Sequence, residues 1–295
     1  MSTKNILYII NPNSGEWINY EDVLEKIKVS LNDSSLEVIK TTGNHDSVEI
    51  KVKLSEKKWD AVLVGGGDGT IKLVAEAVAG VNIPIGIIPL GSANGLARCL
   101  AILNVEDAII AVKTGKIKML DTVEINEHTC LHLSDFGLNA GMIRKFEEDD
   151  ERGMLSYFKN SLLQIFDMKP YSFVISINGK QTAIEARMLV IANGDKYGTG
   201  AIINPLAKMD DGKMEIIALN PVGVADMVTL SFDFFRGTIH ESALVKIWQG
   251  TEAEIQNPDG AEFQIDGEII ETPKKIKITC KPRKISFFVP EVKAP

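Results

Sequence analysis

Apolar runs of strand length alternate with segments of helical spacing over the first 120 residues, and this alternation constrains the fold more than any other feature. Residues 6–10 form a continuous apolar run, which is typical of a strand buried on both faces. Residues 20–31 carry their apolar side chains on one helical stripe. The same pattern predicts strands at 36–42, 61–64 and 83–88 and helices at 46–57, 70–78 and 106–113. A β-α-β-α order predicts a mostly parallel, doubly wound sheet.

The pattern changes near residue 120, so the chain is expected to form two domains, at residues 1–120 and 121–290. Short strand-like segments follow one another through the second half and are separated by Asn-Gly, Asp-Gly and Pro turns. Helical spacing returns only at 154–167 and 224–235. The second domain is therefore predicted to be an antiparallel β-sandwich, and the last residues of the chain can return to the first domain.

Composition excludes several classes of protein. The chain has 295 residues, of which 45% are hydrophobic and 24% are charged, and this is typical of globular domains rather than disordered ones. The formal net charge of −8 argues against a nucleic-acid-binding protein. Residues 77–97 carry no charge, but their glycines and prolines argue against a transmembrane segment. Three widely spaced cysteines and the lack of a signal peptide predict a cytoplasmic protein without disulfides.

A glycine-rich segment, GGGDGT at residues 65–70, follows a predicted strand and begins a predicted helix. Glycines let a ligand approach the backbone closely, and successive amides at a helix N-terminus attract phosphate groups. Asp68 is unusual in an anion site, and its carboxylate suits a ribose, a metal ion or a reacting hydroxyl. The alternative is a tight turn in which Asp68 only caps the helix. The segment matches neither the Walker motif nor the dinucleotide motif.

Two further polar turns follow predicted strands of the same sheet. NPNSG at residues 11–15 follows the first strand, and LGSANG at residues 90–95 follows the strand at 83–88. Because ligands bind at the carboxyl ends of parallel strands, these turns and the glycine-rich segment are expected to meet at one edge of the sheet. Three turns of glycine, serine and asparagine at that edge predict a nucleotide site.

Alternating histidine and cysteine at His128, Cys130 and His132 raise the question of a zinc site. On a single strand predicted at 128–134, the three side chains would share one face. The sequence offers no fourth ligand and none of the usual zinc motifs, so ordinary strand residues are the favoured interpretation.

The segments NPNSG, GGGDGT and PLGSANGLAR, in this order and spacing, resemble the diacylglycerol kinase catalytic family of bacterial lipid kinases, which is related to sphingosine and ceramide kinases. KMDDGK at residues 208–213 and the triplet DGE at residues 266–268 extend the resemblance into the β-rich half. The resemblance implies an α/β ATP-binding domain like that of NAD kinases and phosphofructokinases, followed by an antiparallel β-sandwich. It also implies ATP-dependent phosphorylation of diacylglycerol or a related lipid by a protein that visits the membrane surface transiently, and it leaves a homodimer open.

Carried over position by position, the resemblance implies a set of site residues. The residues implied to hold ATP are Asn11, Pro12, Asn13, Ser14, Gly15, Thr41, Gly65, Gly66, Gly67, Asp68, Gly69, Thr70 and Ser92. The implied catalytic carboxylates are Asp266 and Glu268, with Asp68 holding a catalytic Mg²⁺ or orienting the acceptor. A structural Mg²⁺ would be bound by the Asp211 carboxylate and by main-chain oxygens of Lys208 and Lys213, which are hard oxygen ligands.

One departure from the family bears on the substrate. Diacylglycerol-type members usually have an aspartate directly after the asparagine of the third loop, whereas this chain has Gly95 after Asn94. Sphingosine-kinase-like members also lack that aspartate. The alternatives to a diacylglycerol kinase are therefore a sphingoid-type lipid kinase, an NAD kinase, which shares the GGDGT motif, and a catalytically silent protein that binds nucleotide or lipid.

Two segments of the second half bear on membrane contact. Residues 224–235 place Met227, Leu230, Phe234 and Phe235 among acidic residues, which favours either a membrane-docking helix or a helix that faces the core. A cluster of lysine and arginine between residues 274 and 284 could face anionic headgroups or protect the edge of a strand.

Overall fold

The computed structural model describes residues 4–15, 19–137 and 169–291 of the chain. The fold consists of two compact units. Unit 1 comprises Met1–Leu120 and Arg283–Pro295, and unit 2 comprises Asp121–Pro282. The predicted helix at 154–167 lies outside the described residues.

Unit 1 is a parallel α/β layer structure. Its elements are β1 (Lys4–Ile10), α1 (Tyr20–Ser30), β2 (Ser34–Lys40), α2 (Asp46–Glu56), β3 (Ala61–Gly66), α3 (Asp68–Ala77), β4 (Ile85–Pro89), α4 (Gly95–Cys99) and α5 (Val105–Thr114). The strands lie in the order β2-β1-β3-β4, and every neighbouring pair is parallel. The predicted doubly wound α/β domain is confirmed. The short helix α4 was not predicted.

Burial follows position in the sheet of unit 1. The central strand β3 is buried at all six positions, as a parallel strand covered by helices on both faces requires. The edge strand β2 has no fully buried residue. The flanking helices begin at capping side chains, since Asn19 accepts a hydrogen bond from the amide of Glu21 and Asn104 accepts one from the amide of Asp107.

The last residues of the chain complete unit 1. β16 (Lys275–Phe288) runs across the unit boundary, and its end pairs in parallel with β4, where Phe287 lies opposite Ile85. The amide of Val289 donates a hydrogen bond of 2.9 Å to the carbonyl of Lys116. These pairings explain why residues after Pro282 belong to unit 1 rather than to the β-rich unit.

Unit 2 is an antiparallel β-structure that includes the end of β5 and most of β16. Its strands are β5 (Ile117–Ile125), β6 (His128–Cys130), β7 (Leu133–Phe136), β8 (Tyr171–Ile177), β9 (Lys180–Ala186), β10 (Met188–Ala192), β11 (Met214–Leu219), β12 (Val245–Gly250), β13 (Glu252–Gln256), β14 (Phe263–Ile265) and β15 (Glu268–Ile270). A helix, α6 (Val224–Arg236), and a 3₁₀ turn at Ile239–Glu241 interrupt them. The sequence predicted neither β9 nor β15.

The strands of unit 2 form two sheets that enclose a core. One sheet has the order β12-β11-β10-β7-β14-β15, and the other joins β13 to β16 on one side and to β8 and β9 on the other. Residues from both sheets, including Phe136, Phe173 and Ile255, form one buried cluster. The predicted antiparallel β-sandwich is therefore confirmed.

Helix α6 covers the outer face of the six-stranded sheet. Met227, Leu230 and Phe234 are buried against side chains of β10 and β11, including Val190. Three residues of the predicted docking surface thus face the core, whereas Phe235 is 44% exposed. A different stripe of the helix, Val228 and Phe232 with Phe235, is exposed. Among the described residues, no helix is long and apolar enough to span a bilayer.

Candidate active site

Three loops of unit 1 line a cleft at the carboxyl edge of the parallel sheet. The cleft has a volume of about 410 Å³, which is within the range of small-molecule sites. Its lining residues are Asn11, Asn13, Ser14, Thr41, Thr42, Gly43, Asp46, Gly67, Gly69, Thr70 and Leu73. The loops after β1, β2 and β3 therefore meet at this edge, whereas residues 90–95, which were also expected there, do not line the cleft.

The amino end of α3 opens into this cleft. Gly67 is the N-cap residue, and no side chain caps the first amides of the helix. These amides, together with the helix dipole, form an anion site of the kind that binds phosphates. Thr70 lies in the first turn of α3. Its hydroxyl oxygen accepts a hydrogen bond of 3.4 Å from Nδ2 of the Asn11 side chain. The first loop is thereby tied to the glycine-rich segment.

Close backbone packing explains two glycines of the site. A Cβ atom on Gly91 would lie 2.5 Å from Cα of Gly67. The loop at residues 90–95, called the third loop, therefore approaches the glycine-rich segment without room for a side chain. A Cβ atom on Gly66 would lie 2.6 Å from Cβ of Thr70. The loop shapes therefore depend on glycine at these positions.

The Asp68 carboxylate joins the glycine-rich segment to the third loop. Its Oδ2 accepts a hydrogen bond of 2.8 Å from the amide of Gly95, and its Oδ1 accepts one of 3.0 Å from the amide of Leu96. Asp68 therefore caps α4, a neighbouring helix, rather than the helix that it begins. The sequence pattern did not predict this contact between the two loops, because it did not predict α4.

Asp46 is a charged residue of the cleft that the sequence did not single out as functional. Burial opposes its ionisation, but hydrogen bonds from the Thr42 and Gly43 amides and from the Thr42 hydroxyl hold the pKa of this carboxyl below its usual value. Asp46 is the only charged side chain among the described lining residues of the cleft. A carboxylate there suits the hydroxyl or amino groups of a ligand better than its phosphates.

Some of the predicted ATP-binding residues line the cleft, and others do not. Seven of them line it: Asn11, Asn13, Ser14, Thr41, Gly67, Gly69 and Thr70. Six others do not line it: Pro12, Gly15, Gly65, Gly66, Asp68 and Ser92. Gly65 and Gly66 are the buried end of β3, whereas Ser92 is exposed on the third loop.

In unit 2, the predicted carboxylates lie on the hairpin that joins β14 to β15. Ile265 pairs with Glu268, so Asp266 and Gly267 form a two-residue turn. Both have positive φ angles, of 51° and 90°, as a type I′ turn requires, and Asp-Gly is a preferred sequence for it. Glu268 follows the turn as the first, exposed residue of β15.

Asp266 is a buried carboxylate with several donors around it. Its oxygens accept hydrogen bonds from the amides of Leu131, His132 and Leu133 at 2.8, 3.0 and 3.3 Å. Nδ1 of His132 lies 2.7 Å from Oδ1 of Asp266. Burial opposes ionisation, but the charge and hydrogen bonding of His132 and the backbone donors outweigh it and lower the pKa of the Asp266 carboxyl.

The predicted metal-binding loop has an exposed carboxylate, and a buried carboxylate from β5 holds the backbone of the loop. Lys208, Asp211 and Lys213 are exposed, and Oδ1 of Asp211 accepts a hydrogen bond from the amide of Lys213. Asp121 is 1% exposed, and its Oδ2 accepts a bond of 2.6 Å from the amide of Gly212. Asp121 was not predicted, because only the folded chain brings β5 to this loop.

Negative charge is concentrated near this loop. Burial, followed by the charges of Asp121, Asp211 and Glu215, raises the pKa of Cys280 to about 12. One exposed carboxylate with two main-chain carbonyls fits Mg²⁺, which takes few protein ligands and keeps several waters. Within the part of the chain that the structure describes, no three His, Cys, Asp or Glu residues form a metal-binding group.

The predicted strand at 128–134 is interrupted after Cys130, so that His128 and Cys130 lie on one strand and His132 lies in the break. β6 ends at Cys130 and β7 begins at Leu133, so the alternation of faces does not continue through the segment. His128 is exposed, whereas Cys130 and His132 both lie against Asp266. His132 therefore belongs to the surroundings of the carboxylate turn.

Comparison with known proteins gives two matching domain models. The diacylglycerol kinase catalytic domain matches residues 5–125, and the YegS C-terminal NAD kinase beta sandwich-like domain matches residues 135–289. The diacylglycerol kinase of Bacillus subtilis is 22% identical and aligns over 90% of each chain. A Yersinia enterocolitica protein, named probable lipid kinase YegS-like, is 26% identical over 96% of each chain.

Solved structures share the fold. A diacylglycerol kinase from Bacillus anthracis has a TM-score of 0.77 at 19% identity and covers 99% of this chain and 98% of its own. An NAD kinase from Archaeoglobus fulgidus, solved in complex with ATP, has a TM-score of 0.58 at 14% identity, with coverages of 97% and 94%. The two domain models together span the loops and the carboxylate turn, and the chain accordingly belongs to the diacylglycerol kinase catalytic domain family, with a YegS-type C-terminal sandwich.

Proposed function

We propose that the protein transfers the γ-phosphate of ATP to the hydroxyl group of diacylglycerol or a related lipid. The observation that carries this proposal is the cleft at the uncapped amino end of α3, which offers amides to a phosphate chain. Membership in the diacylglycerol kinase family supports a lipid acceptor, and several relatives are named lipid kinases.

Unit 1 would bind the nucleotide. The amides at the start of α3 and the Thr70 hydroxyl would hold phosphate oxygens, and Asp46 would accept hydrogen bonds from nucleotide hydroxyl or amino groups. The described lining of the cleft contributes no cationic side chain. Mg²⁺, bound together with ATP, would supply the neutralisation of phosphate charge that phosphoryl transfer needs.

Unit 2 would supply the group that accepts the proton. Asp266 is almost completely buried and surrounded by donors that stabilise its ionised form, so it is a weak base. Glu268 is exposed, and it is the more suitable acceptor. The hydroxyl proton would pass to Glu268 while the hydroxyl oxygen attacks the γ-phosphorus. The new P–O bond forms, the bond to the β–γ bridging oxygen breaks, and ADP leaves.

The Mg²⁺ predicted at residues 208–213 would have a structural role. The Asp211 carboxylate and the main-chain oxygens of Lys208 and Lys213 would bind it, in the negative field to which Asp121 contributes. Such a site would stabilise the loop that precedes β11.

A lipid acceptor also requires contact with a membrane surface. Helix α6 exposes Val228 and Phe232, which are 51% and 60% accessible, beside Phe235. Arg236 lies over the Phe232 ring at 5.8 Å from its centroid. Aromatic side chains next to a cation suit the interfacial region of a bilayer, so this stripe supports transient, peripheral binding.

A direct test uses the purified protein, radiolabelled ATP and a total lipid extract. The wild-type protein should label a lipid, and Glu268→Gln should lower turnover by about a hundredfold or more while ATP affinity persists. Glu271→Gln is the matched control, since Glu271 is another exposed carboxylate close by in sequence and should leave turnover unchanged. Equal turnover in Glu268→Gln would contradict the assignment of the proton acceptor.

The same assay separates the alternatives. Labelling of NAD, offered in place of lipid, would instead identify an NAD kinase, whose fold this chain shares. ATP binding without transfer to any lipid or to NAD would identify a catalytically silent protein. The chemical identity of the labelled lipid would distinguish diacylglycerol from a sphingoid acceptor.

A further inference from the structure

Each of the two residues of the Asp266–Gly267 turn contacts a buried side chain from elsewhere in unit 2. On one side, the Asp266 carboxylate contacts His132, whose side chain is 7% exposed, in addition to the amides of residues 131–133. Removal of the imidazole would leave the buried carboxylate with backbone amides and the weak thiol donor of Cys130, at 3.6 Å from Oδ1. Such a group is stabilised less well and draws a proton or water toward itself.

On the other side, the backbone of Gly267 is fastened through Gln264. The Gly267 amide donates a hydrogen bond of 2.7 Å to Oε1 of Gln264, which is 4% exposed. Nε2 of Gln264 donates to Oδ2 of Asp135, and the Tyr197 hydroxyl donates to the same oxygen at 3.3 Å. Asp135 is completely buried, so Gln264 is fixed at both ends of its amide.

This fastening matters because the hairpin is short, and the amide of Asp266 adds only one further backbone hydrogen bond, of 2.8 Å, to the carbonyl of Leu133. β14 and β15 are three residues each, and Ile265–Glu268 is the pair that closes the turn. The direction of the Glu268 side chain therefore follows from the left-handed conformations of Asp266 and Gly267. A functional side chain that is itself exposed keeps its geometry only if buried neighbours fix the backbone that carries it.

We propose that His132 and Gln264 are positioning residues for Glu268, and this inference rests on the proposed function. His132 acts through Asp266, and Gln264 acts through the Gly267 amide. Neither residue was implied by the family motifs, and neither takes the proton itself. Their removal should slow phosphoryl transfer without weakening nucleotide binding.

The kinetic test compares His132→Leu, His132→Asn and Gln264→Leu with the wild type. The two leucine variants should lower kcat about tenfold or more with the KM for ATP unchanged, because only the geometry of Glu268 changes. His132→Asn retains an N–H donor toward Asp266 and should recover most of kcat. Equal kcat in wild type and both leucine variants, or no recovery by asparagine, would overturn the proposal.

A matched control separates positioning from general loss of stability. Asn257 is completely buried and closes a different turn, since its side chain exchanges hydrogen bonds with Ala261 before β14. Asn257→Leu should lower the melting temperature while kcat per folded molecule remains near the wild-type value. A fall in kcat as large as that of Gln264→Leu would show that any destabilised hairpin loses activity, and the proposal would fail.

Amide hydrogen exchange provides a readout that does not depend on activity. The amides of Leu131 and Gly267 should be protected in the wild type, and the protection should fall in His132→Leu and Gln264→Leu respectively. Unchanged protection in both variants would overturn the proposed fastening. If the wild type transferred no phosphate at all, the proposed function would fail, and the exchange data would still decide whether these residues hold the turn.

Discussion

At the residue scale, the loops at the carboxyl edge of the parallel sheet depend on the absence of a Cβ atom at two glycines as much as on hydrogen bonds. Gly91 and Gly67 pack backbone against backbone, which brings the third loop onto the glycine-rich segment. Asp68 then fastens the two loops through the amides of Gly95 and Leu96. The cleft is thus shaped by close packing and by a capping carboxylate, and both are sensitive to single substitutions.

Gly91→Ala should disturb this packing, because its Cβ would lie 2.5 Å from a backbone atom, which is closer than van der Waals contact allows. We expect an ATP affinity at least about tenfold lower, measured by calorimetry with Mg·ATP. Gly223→Ala is the matched control, since a Cβ there meets no atom within 4 Å and the φ of −136° suits alanine. Equal affinities in the two variants would contradict the prediction.

Cys280 reports the negative charge near the predicted metal loop. With a pKa of about 12, its thiolate should be about a thousandfold scarcer at pH 8 than that of an ordinary cysteine. Alkylation of Cys280 in the native protein, followed by mass spectrometry, should therefore be very slow compared with the half-buried Cys99.

Millimolar Mg²⁺ should accelerate alkylation of Cys280 if the metal binds at residues 208–213, because a bound cation offsets the carboxylates that raise the thiol pKa. Asp211→Asn should speed the reaction without Mg²⁺ and remove the response to it. A rate that ignores Mg²⁺ in the wild type would argue against the metal site.

At the element scale, α6 is apolar around most of its circumference, but one apolar side is buried and another is exposed. Met227, Leu230 and Phe234 pack on the outer face of the six-stranded sheet. The strand beneath, β10, is buried at all five positions, since its alternate residues face the sandwich core and the helix. Helical spacing alone could not reveal which apolar stripe of α6 faces the sheet.

Two phenylalanines of α6 form a matched pair that separates packing on the sheet from the proposed membrane contact. Phe234→Ala should lower the free energy of unfolding by about 3–5 kcal/mol, since the ring is 2% exposed. Phe232→Ala should change it by less than about 1 kcal/mol, because that ring is 60% exposed. When co-sedimentation with lipid vesicles is expressed per folded molecule, only Phe232→Ala should weaken it. Unchanged vesicle binding would contradict the membrane role of the stripe.

At the scale of the whole molecule, acid should act strongly on unit 2. The pKa of Asp266 is lower in the folded chain than its ordinary value of about 3.9, so the folded state favours the ionised carboxyl. Its contribution to stability is complete above that ordinary value and is lost as the pH falls through the folded pKa. Asp266→Asn should therefore cost more stability near neutral pH than near about pH 3, measured by urea unfolding.

A difference in the free energy of unfolding between wild type and Asp266→Asn that stayed constant over this pH range would contradict the lowered pKa of Asp266. The variant also needs a transition that can be interpreted, because a chain with two units need not unfold in one step. Agreement between two probes, such as circular dichroism and tryptophan fluorescence, is the appropriate check.

Much of the fold and part of the site could be predicted from the sequence. The parallel sheet of unit 1 followed from apolar runs, and its edge followed from topology, so Asn11, Gly67 and Thr70 were expected together. Asp46, Asp121 and His132 were not expected in their roles, because each acts through a contact with a distant loop or hairpin. The break between β6 and β7 was also missed, since strand-like composition continues through it.

Local patterns determined the order of elements in unit 1, the glycine-rich turn that begins α3, the Asp-Gly hairpin turn and the family to which the chain belongs. These features depend on neighbours in sequence, through periodicity, backbone freedom and turn preference. Only the tertiary structure decided which side of α6 is buried, that residues after Pro282 complete unit 1, and that Asp266 is enclosed while Glu268 is exposed. The reason is physical, because burial and hydrogen-bond partners are set by strands that lie far apart in the sequence.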